Sequence, residues 1–251
     1  MGALLPIDTN ELEFDNGTFN AAAFASHALA SWQALAAVID HTLLKPEATR
    51  LQVEALCSEA FRYRFACAMV SPLWVPVAVS ALAGTGVPVG VVIGFPLGAS
   101  LPSTLRQEAE TLTRLGAKEL DMVLPIGQLK SGNHIAVRQS IQSAATMAHQ
   151  HGAILKVILE TALLTTEEKL RASEISIEAG ADFIKTSTGF AKGGATPEDI
   201  ALMRGVAGAR CGVKASGGIR TLADVRTLLE AGASRIGASA SVAIVRELGA
   251  E

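Results

Sequence analysis

Short, almost wholly apolar runs alternate along this chain with longer stretches whose apolar positions recur every three to four residues. The short runs are LAAVID (35–40), ACAMV (66–70), VGVVIG (89–94), ELDMVL (119–124), AILKVILE (153–160), ADFIKTS (181–187), CGVKAS (211–216) and SRIGAS (234–239). Runs of this length without a strict polar alternation predict strands buried on both faces, as in a parallel sheet. The stretches between them, among them ATRLQVEALCSEAFRY, SLPSTLRQEAETLTRLG, NHIAVRQSIQSAATMAHQHG, TTEEKLRASEISIEAG, TPEDIALMRGVAG and TLADVRTLLEAG, carry the helical period. Several end in glycine, where a helix C-cap belongs. Thr165 three residues ahead of Glu168, and Thr196 three ahead of Asp199, predict helix starts. A helix-glycine-strand junction recurs in LGAKEL, HGAILK, AGADFI and AGASRI. Eight strand–helix units with no linker between them favour a closed (β/α)8 TIM barrel over an open doubly wound sheet. We place the barrel at 31–251 and read 1–30 as an N-terminal extension, helical or partly disordered.

Composition narrows the function without naming it. A length of 251 residues and 49% hydrophobic content suit one barrel-sized core. A net charge of -3 without a basic run argues against a nucleic-acid partner. No apolar run approaches the length of a membrane span. The first thirty residues carry Glu11, Glu13 and Asp15 and no basic segment, which is unlike a secretory signal. Cys57, Cys67 and Cys211 are widely spaced and odd in number, so they read as buried free thiols in a reducing, cytoplasmic compartment.

The informative anomaly is ionisable residues inside apolar strand text: Asp40, Asp121, Lys156, Lys185 and Lys214. For one lysine taken alone, a strand end whose tip reaches solvent is the commoner reading. Five such residues on five strands reverse that preference, because a barrel lets them converge and neutralise one another in a single cavity. Lys185 and Lys214 fall at matching ends of successive strands, about 4.8 Å apart. A second cation and desolvation both disfavour protonation, leaving an amine able to attack a carbonyl. Asp121 is placed to exchange protons through a water, and Lys156 to connect that carboxylate to the lysine pair. Asp40 fits two roles equally: orienting a substrate hydroxyl, or bonding the loop after the first strand.

Glycine-rich turns follow the sixth and seventh strands, in TSTGFAKGGAT and ASGGIRT, and GAS with Ser239 follows the eighth. Exposed amides in the last barrel loops are suited to a phosphate, with Lys192 or Arg220 as further charge. His27, His41, His134, His149 and His151 do not form a persuasive metal-ligand set, and no GxGxxG follows a first strand, so neither a metal nor a nicotinamide cofactor is expected.

IDHTLLKPEAT, VIGFPLGAS, GAKELDMVLPIGQLKSGN, LKVILET, GADFIKTSTGF, GVKASGGIR and RIGAS resemble, in order and spacing, the motifs of the deoxyribose-phosphate aldolase family over roughly residues 37 to 246. The resemblance implies reversible cleavage of 2-deoxy-D-ribose 5-phosphate to D-glyceraldehyde 3-phosphate and acetaldehyde. It implies Lys185 as Schiff-base nucleophile, Lys214 as the group that perturbs it, Asp121 as acid/base and Lys156 as proton relay. It also implies Asp40 as a substrate-site aspartate and Gly189, Gly217, Gly218 and Ser239 as phosphate-site positions. The chain departs from the family at Met69, Ala215 and Ala240, and its only tyrosine is Tyr63. Two rival readings keep the charged strands: an aldolase for another small aldehyde or sugar phosphate, and a noncatalytic barrel that binds a sugar phosphate. Barrels often associate, so a homo-oligomer is expected.

Overall fold

A computed structural model describes residues 19–251; the part of the predicted extension over 1–18 lies outside the described residues. Two helices come first, α1 (Ala21–Ala28) and α2 (Trp32–Ala36), capped by the Asn20 and Ser31 side chains. Eight strands follow: β1 (Ile39–Leu43), β2 (Cys67–Val70), β3 (Val89–Ile93), β4 (Glu119–Val123), β5 (Ile154–Ile158), β6 (Phe183–Lys185), β7 (Gly212–Ser216) and β8 (Arg235–Ala238). The helices after α2 are α3 (Arg50–Tyr63), α4 (Val75–Ala81), α5 (Pro102–Arg114), α6 (Ile126–Lys130), α7 (His134–Gln150), α8 (Thr166–Glu178), α9 (Pro197–Ala207), α10 (Leu222–Glu230) and α11 (Ser241–Glu247). Each strand pairs in parallel with its sequence neighbours, and β8 closes on β1 to give the expected (β/α)8 barrel.

The boundaries differ from the sequence reading in instructive ways. Leu35 and Ala36 end α2, so the first strand begins at Ile39 and runs on through His41 and Thr42. A short apolar run cannot by itself separate a buried strand from a buried helix turn. The strand tolerates polar text because its inward position, Asp40, has partners in the barrel. β6 is only three residues long. Beyond Lys185 the Thr186 hydroxyl donates to the Ser216 carbonyl and accepts from the Ser216 amide, both at 3.0 Å, which ties this segment to the end of β7. The short helices α4 and α6 were not anticipated. α4 is nearly all apolar, and Pro76 lies in its first turn, where the missing amide costs nothing.

Thr165 and Thr196 cap α8 and α9 as expected, and α8 has the full capping box with Glu168. The large apolar core lies between barrel and helices, built from the outward strand positions such as Ile39, Val91, Leu120, Val157, Ile184, Val213 and Ile236. A second, small cluster of Cys67, Met69 and Val92 lies inside the barrel on the β2–β3 side. The rest of the interior combines charged side chains with the inward apolar residues Val123, Ile158 and Phe183. Cys57, Cys67 and Cys211 are free and buried, and among the described residues no helix is long and apolar enough to cross a membrane.

Candidate active site

All five ionisable residues singled out in the sequence point into the barrel, and all are buried. The strand register explains how they meet: Asp121 pairs with Lys156 across β4–β5, and Lys185 with Lys214 across β6–β7. Lys185 Nζ donates to Asp121 Oδ2 at 2.7 Å, and Lys214 Nζ donates to the same oxygen at 2.7 Å. Lys156 Nζ holds the other oxygen, Oδ1, at 2.8 Å. Asp121 thus receives all three lysines. Asp40 accepts from Lys214, from Arg235 Nη1 at 2.9 Å, and lies 3.4 Å from Lys156 Nζ. Its carboxylate belongs to this interior network, and the hydrogen bond from Thr42 Oγ1 goes to its backbone carbonyl.

Two members of the cluster went unassigned in the sequence. Glu119 opens β4 and Arg235 opens β8, so both sit at first strand positions, where a charged side chain ordinarily reaches solvent. Here both turn inward: Glu119 Oε2 lies 2.6 Å from Lys156 Nζ, and Arg235 Nη1 lies 3.7 Å from Glu119 Oε1. Their signal was parity, since Glu119 is two residues before Asp121 and therefore on the same face of the strand. Glycine makes the space. At Gly237, inward on β8, an added Cβ would stand 3.0 Å from Lys214 Cε and 3.1 Å from Ser216 Cβ.

Electrostatics separate Lys185 from Lys156. Burial lowers the Lys185 pKa most strongly; Asp121 opposes this, and Lys214 lowers it further, leaving it at about 8. The cationic neighbour matters, but burial is the larger cause. For Lys156 burial also favours the neutral amine, yet Asp121, Glu119 and Asp40 outweigh it and push the pKa well above the ordinary lysine range. Burial alone would raise Asp121, but Lys156, Lys185 and Lys214 hold it well below the usual carboxylate range. Only a lysine with a depressed pKa supplies a useful fraction of free amine near neutrality. That lysine is Lys185, the last residue of β6, at the C-terminal end of the barrel where such enzymes do their chemistry.

The glycine loops sit at that same end. Gly189, Gly218 and Ser239 are exposed, and Gly217 is half-buried. Gly189, Gly217 and Gly218 have φ of 85°, 89° and 79°, which orients their amides in a way other residues rarely allow. The β6 and β7 loops are bolted together: the Ala195 amide donates to the Gly217 carbonyl at 3.1 Å, and Ser216 Oγ donates to the Ser187 carbonyl at 2.6 Å. The start of α10 is already served by its own residues, since Asp224 accepts the Arg220 and Thr221 amides at 3.0 Å. An anion there would meet glycine amides rather than that helix end.

Asp40, Cys67 and Glu119 offer three donor atoms within 4.8 Å of one another, the geometry of a small metal site. Lys156 and Arg235 already provide cationic charge to its two carboxylates, and burial holds the Cys67 thiol well above its usual pKa. That donor set does not suit a metal ion, which needs deprotonated ligands free of other cations.

A closed barrel with a buried lysine of lowered pKa at its catalytic end, hydrogen-bonded to a carboxylate, defines a class of enzyme built for carbonyl chemistry. Residues 13–247 match the family model described as DeoC/LacD family aldolase, and the chain belongs to that family. It is an aldolase, a carbon–carbon lyase. It is 53% identical over 211 residues to the deoxyribose-phosphate aldolase of Bacillus mycoides, covering 84% of this chain and 94% of that one. The corresponding protein of a Geobacillus strain is 50% identical over 211 residues, with the same coverage. The solved deoxyribose phosphate aldolase of Aeropyrum pernix, described as a tetramer, superposes with a TM-score of 0.83 at 35% identity, covering 90% of this chain and 96% of that one.

Proposed function

We propose that this aldolase reversibly cleaves 2-deoxy-D-ribose 5-phosphate to D-glyceraldehyde 3-phosphate and acetaldehyde through a Schiff base on Lys185. The observation that carries the reading is the pairing of a lysine whose pKa lies near 8 with Asp121 at 2.7 Å, at the mouth of a barrel whose next loops present glycine amides. The neutral Lys185 amine adds to C1 of the open-chain sugar. Asp121, held ionised by its three lysines, accepts the proton released on addition and passes it through a water to the departing hydroxyl. Water leaves and an iminium forms. The iminium draws in the C2–C3 bonding pair as the C3 hydroxyl gives its proton through a water to Asp121, so C3 to C5 depart as the phosphorylated aldehyde. The two-carbon enamine then takes a proton at C2, and hydrolysis frees acetaldehyde and restores the amine.

Lys156 relays protons to Asp121, and Lys214 adds to the field that disfavours the Lys185 cation. Asp40 forms the floor of the substrate site through Lys214. Gly189, Gly217, Gly218 and Ser239 hold the phosphate, with exposed Lys192 and Arg220 nearby in sequence to add charge. Three buried free thiols suit a reducing cytoplasm, and the tetrameric Aeropyrum relative supports a homo-oligomer, which sedimentation would count. The reading is tested by incubating the protein with acetaldehyde and borohydride and mapping the modified peptide. A reduced two-carbon adduct on Lys185 is expected; folded protein without it, or with the adduct on another lysine, would overturn the mechanism. Product analysis with 2-deoxyribose 5-phosphate distinguishes this substrate from another sugar phosphate.

A further inference from the structure

We propose that Glu119 and Arg235, at the N-terminal end of the barrel interior, are positioning residues that fix the charge balance of the whole cluster and thereby select Lys185 as the lysine that gives up its proton. The inference rests on Lys185 being the nucleophile. The interior holds four cations, Lys156, Lys185, Lys214 and Arg235, and three carboxylates, Asp40, Glu119 and Asp121. Fully ionised, it carries one uncompensated positive charge on buried groups, a costly state that releasing one proton relieves. The contacts decide which proton leaves. Lys156 has carboxylate oxygens from Asp40, Glu119 and Asp121 within 3.4 Å. Lys214 is bonded to Asp40 and Asp121, and Arg235 lies within 3.7 Å of Asp40 and Glu119. Lys185 has Asp121 alone, and shares that oxygen with Lys214.

Every strand facing the cluster is accounted for. β2 adds the Cys67 thiol, which burial keeps neutral, and β3 turns Gly90 and Val92 inward, which add no charge. Glu160, after β5, is committed to the Thr188 amide and hydroxyl, and Lys192 and Arg220 are exposed to solvent. Glu119 and Arg235 therefore act at a distance: neither bonds Lys185, yet each adds one charge to the sum that Lys185 must balance.

Opposite shifts follow from opposite charges. Glu119→Gln removes an anion, leaves the cation excess larger, and is expected to move the pH at which Lys185 becomes reactive down by about one unit. Arg235→Gln removes the excess and is expected to move it up by about one unit, roughly a tenfold loss of rate below the limb. The double variant removes one charge of each sign and should return the limb to its original position, although it disturbs packing most. Arg235→Lys should keep it there. The readout is the rate of acetaldehyde trapping on Lys185 by cyanoborohydride, measured against pH on both sides of about 8. If the unaltered protein gives no adduct on Lys185, the mechanism itself fails. If it gives the adduct but the single variants move the limb in the same direction or not at all, or the double variant does not restore it, the charge-balance proposal fails alone. Should Arg235→Gln not fold, Glu119→Gln decides: a downward shift supports the proposal and an unmoved limb overturns it.

Discussion

At the scale of single residues, protonation of one amine governs the chemistry. A pKa of about 8 means that Lys185 is mostly protonated at neutrality and that its reactive fraction grows as pH rises. Trapping on Lys185 is therefore expected to climb about tenfold per pH unit below the limb and to level above it. A rate that falls with rising pH over that span would contradict the assignment. Lys185→Arg keeps the positive charge but has no attacking amine at any accessible pH, so it should abolish the adduct while preserving the fold by circular dichroism. Asp121→Asn deletes the carboxylate shared by three lysines and the group assigned to proton transfer. It should lower kcat by about a hundredfold or more with a smaller change in KM, as steady-state kinetics would read. A KM effect alone would leave Asp121 a binding group.

Much of this residue-level picture is legible in the sequence. A lysine in the middle of VILE-like text costs too much to be idle, so Asp40, Asp121, Lys156, Lys185 and Lys214 announced themselves by context. Glu119 and Arg235 did not, because a charge on the first residue of a strand is cheap whenever it faces solvent, and only closure of the barrel removes that solvent. The weighting of causes on Lys185 was also hidden: sequence shows the companion cation, whereas burial is a property of the packed whole.

At the scale of elements, eight strands were foreseen and their ends were not. Ends are set by what the next loop bonds to, as where Thr186 leaves β6 to bond Ser216. The paired glycines 193 and 194 read in the sequence as part of a glycine-rich turn; in the fold, Gly194 is also a close contact. A Cβ on Gly194 would stand 2.4 Å from the Gly217 carbonyl oxygen, which is backbone and cannot turn aside. Gly194→Ala should therefore push the β6 and β7 loops apart, at a cost of about 1–3 kcal/mol. Because those loops carry Gly189, Gly217 and Gly218, the proposed phosphate site should suffer before the amine does. The expected signature is a KM for the phosphorylated substrate raised several-fold, with acetaldehyde trapping on Lys185 nearly unchanged. Equal loss of both would mean that the loop joint supports the lysines as well.

At the scale of the molecule, the question is what the segment ahead of the barrel contributes. A boundary near residue 30 separates it in sequence, but α1 lies against α10, and Phe24, Ala25 and Ala28 join the main apolar core. The contact is reinforced from the barrel side. Arg204, on α9, stacks its guanidinium 3.9 Å above the Phe19 ring while donating to the carbonyls of Gly208, Cys211 and Gly232. Burial lowers the Arg204 pKa to about 10, so this cation is held by carbonyls and a ring, with no carboxylate among those partners. α1 thus packs on the outside of the last βα units. Phe24→Ala removes a large buried ring and should cost about 3 kcal/mol, since packing on an outer helix relaxes only in part. For a chain of this size that corresponds to a fall in Tm of about 6–12 °C. Trapping on Lys185 well below the new Tm should proceed at its original rate with its limb still near pH 8. A lost or shifted limb at low temperature would instead show that α1 is coupled to the barrel interior through β7 and β8, the strands that carry Lys214 and Arg235.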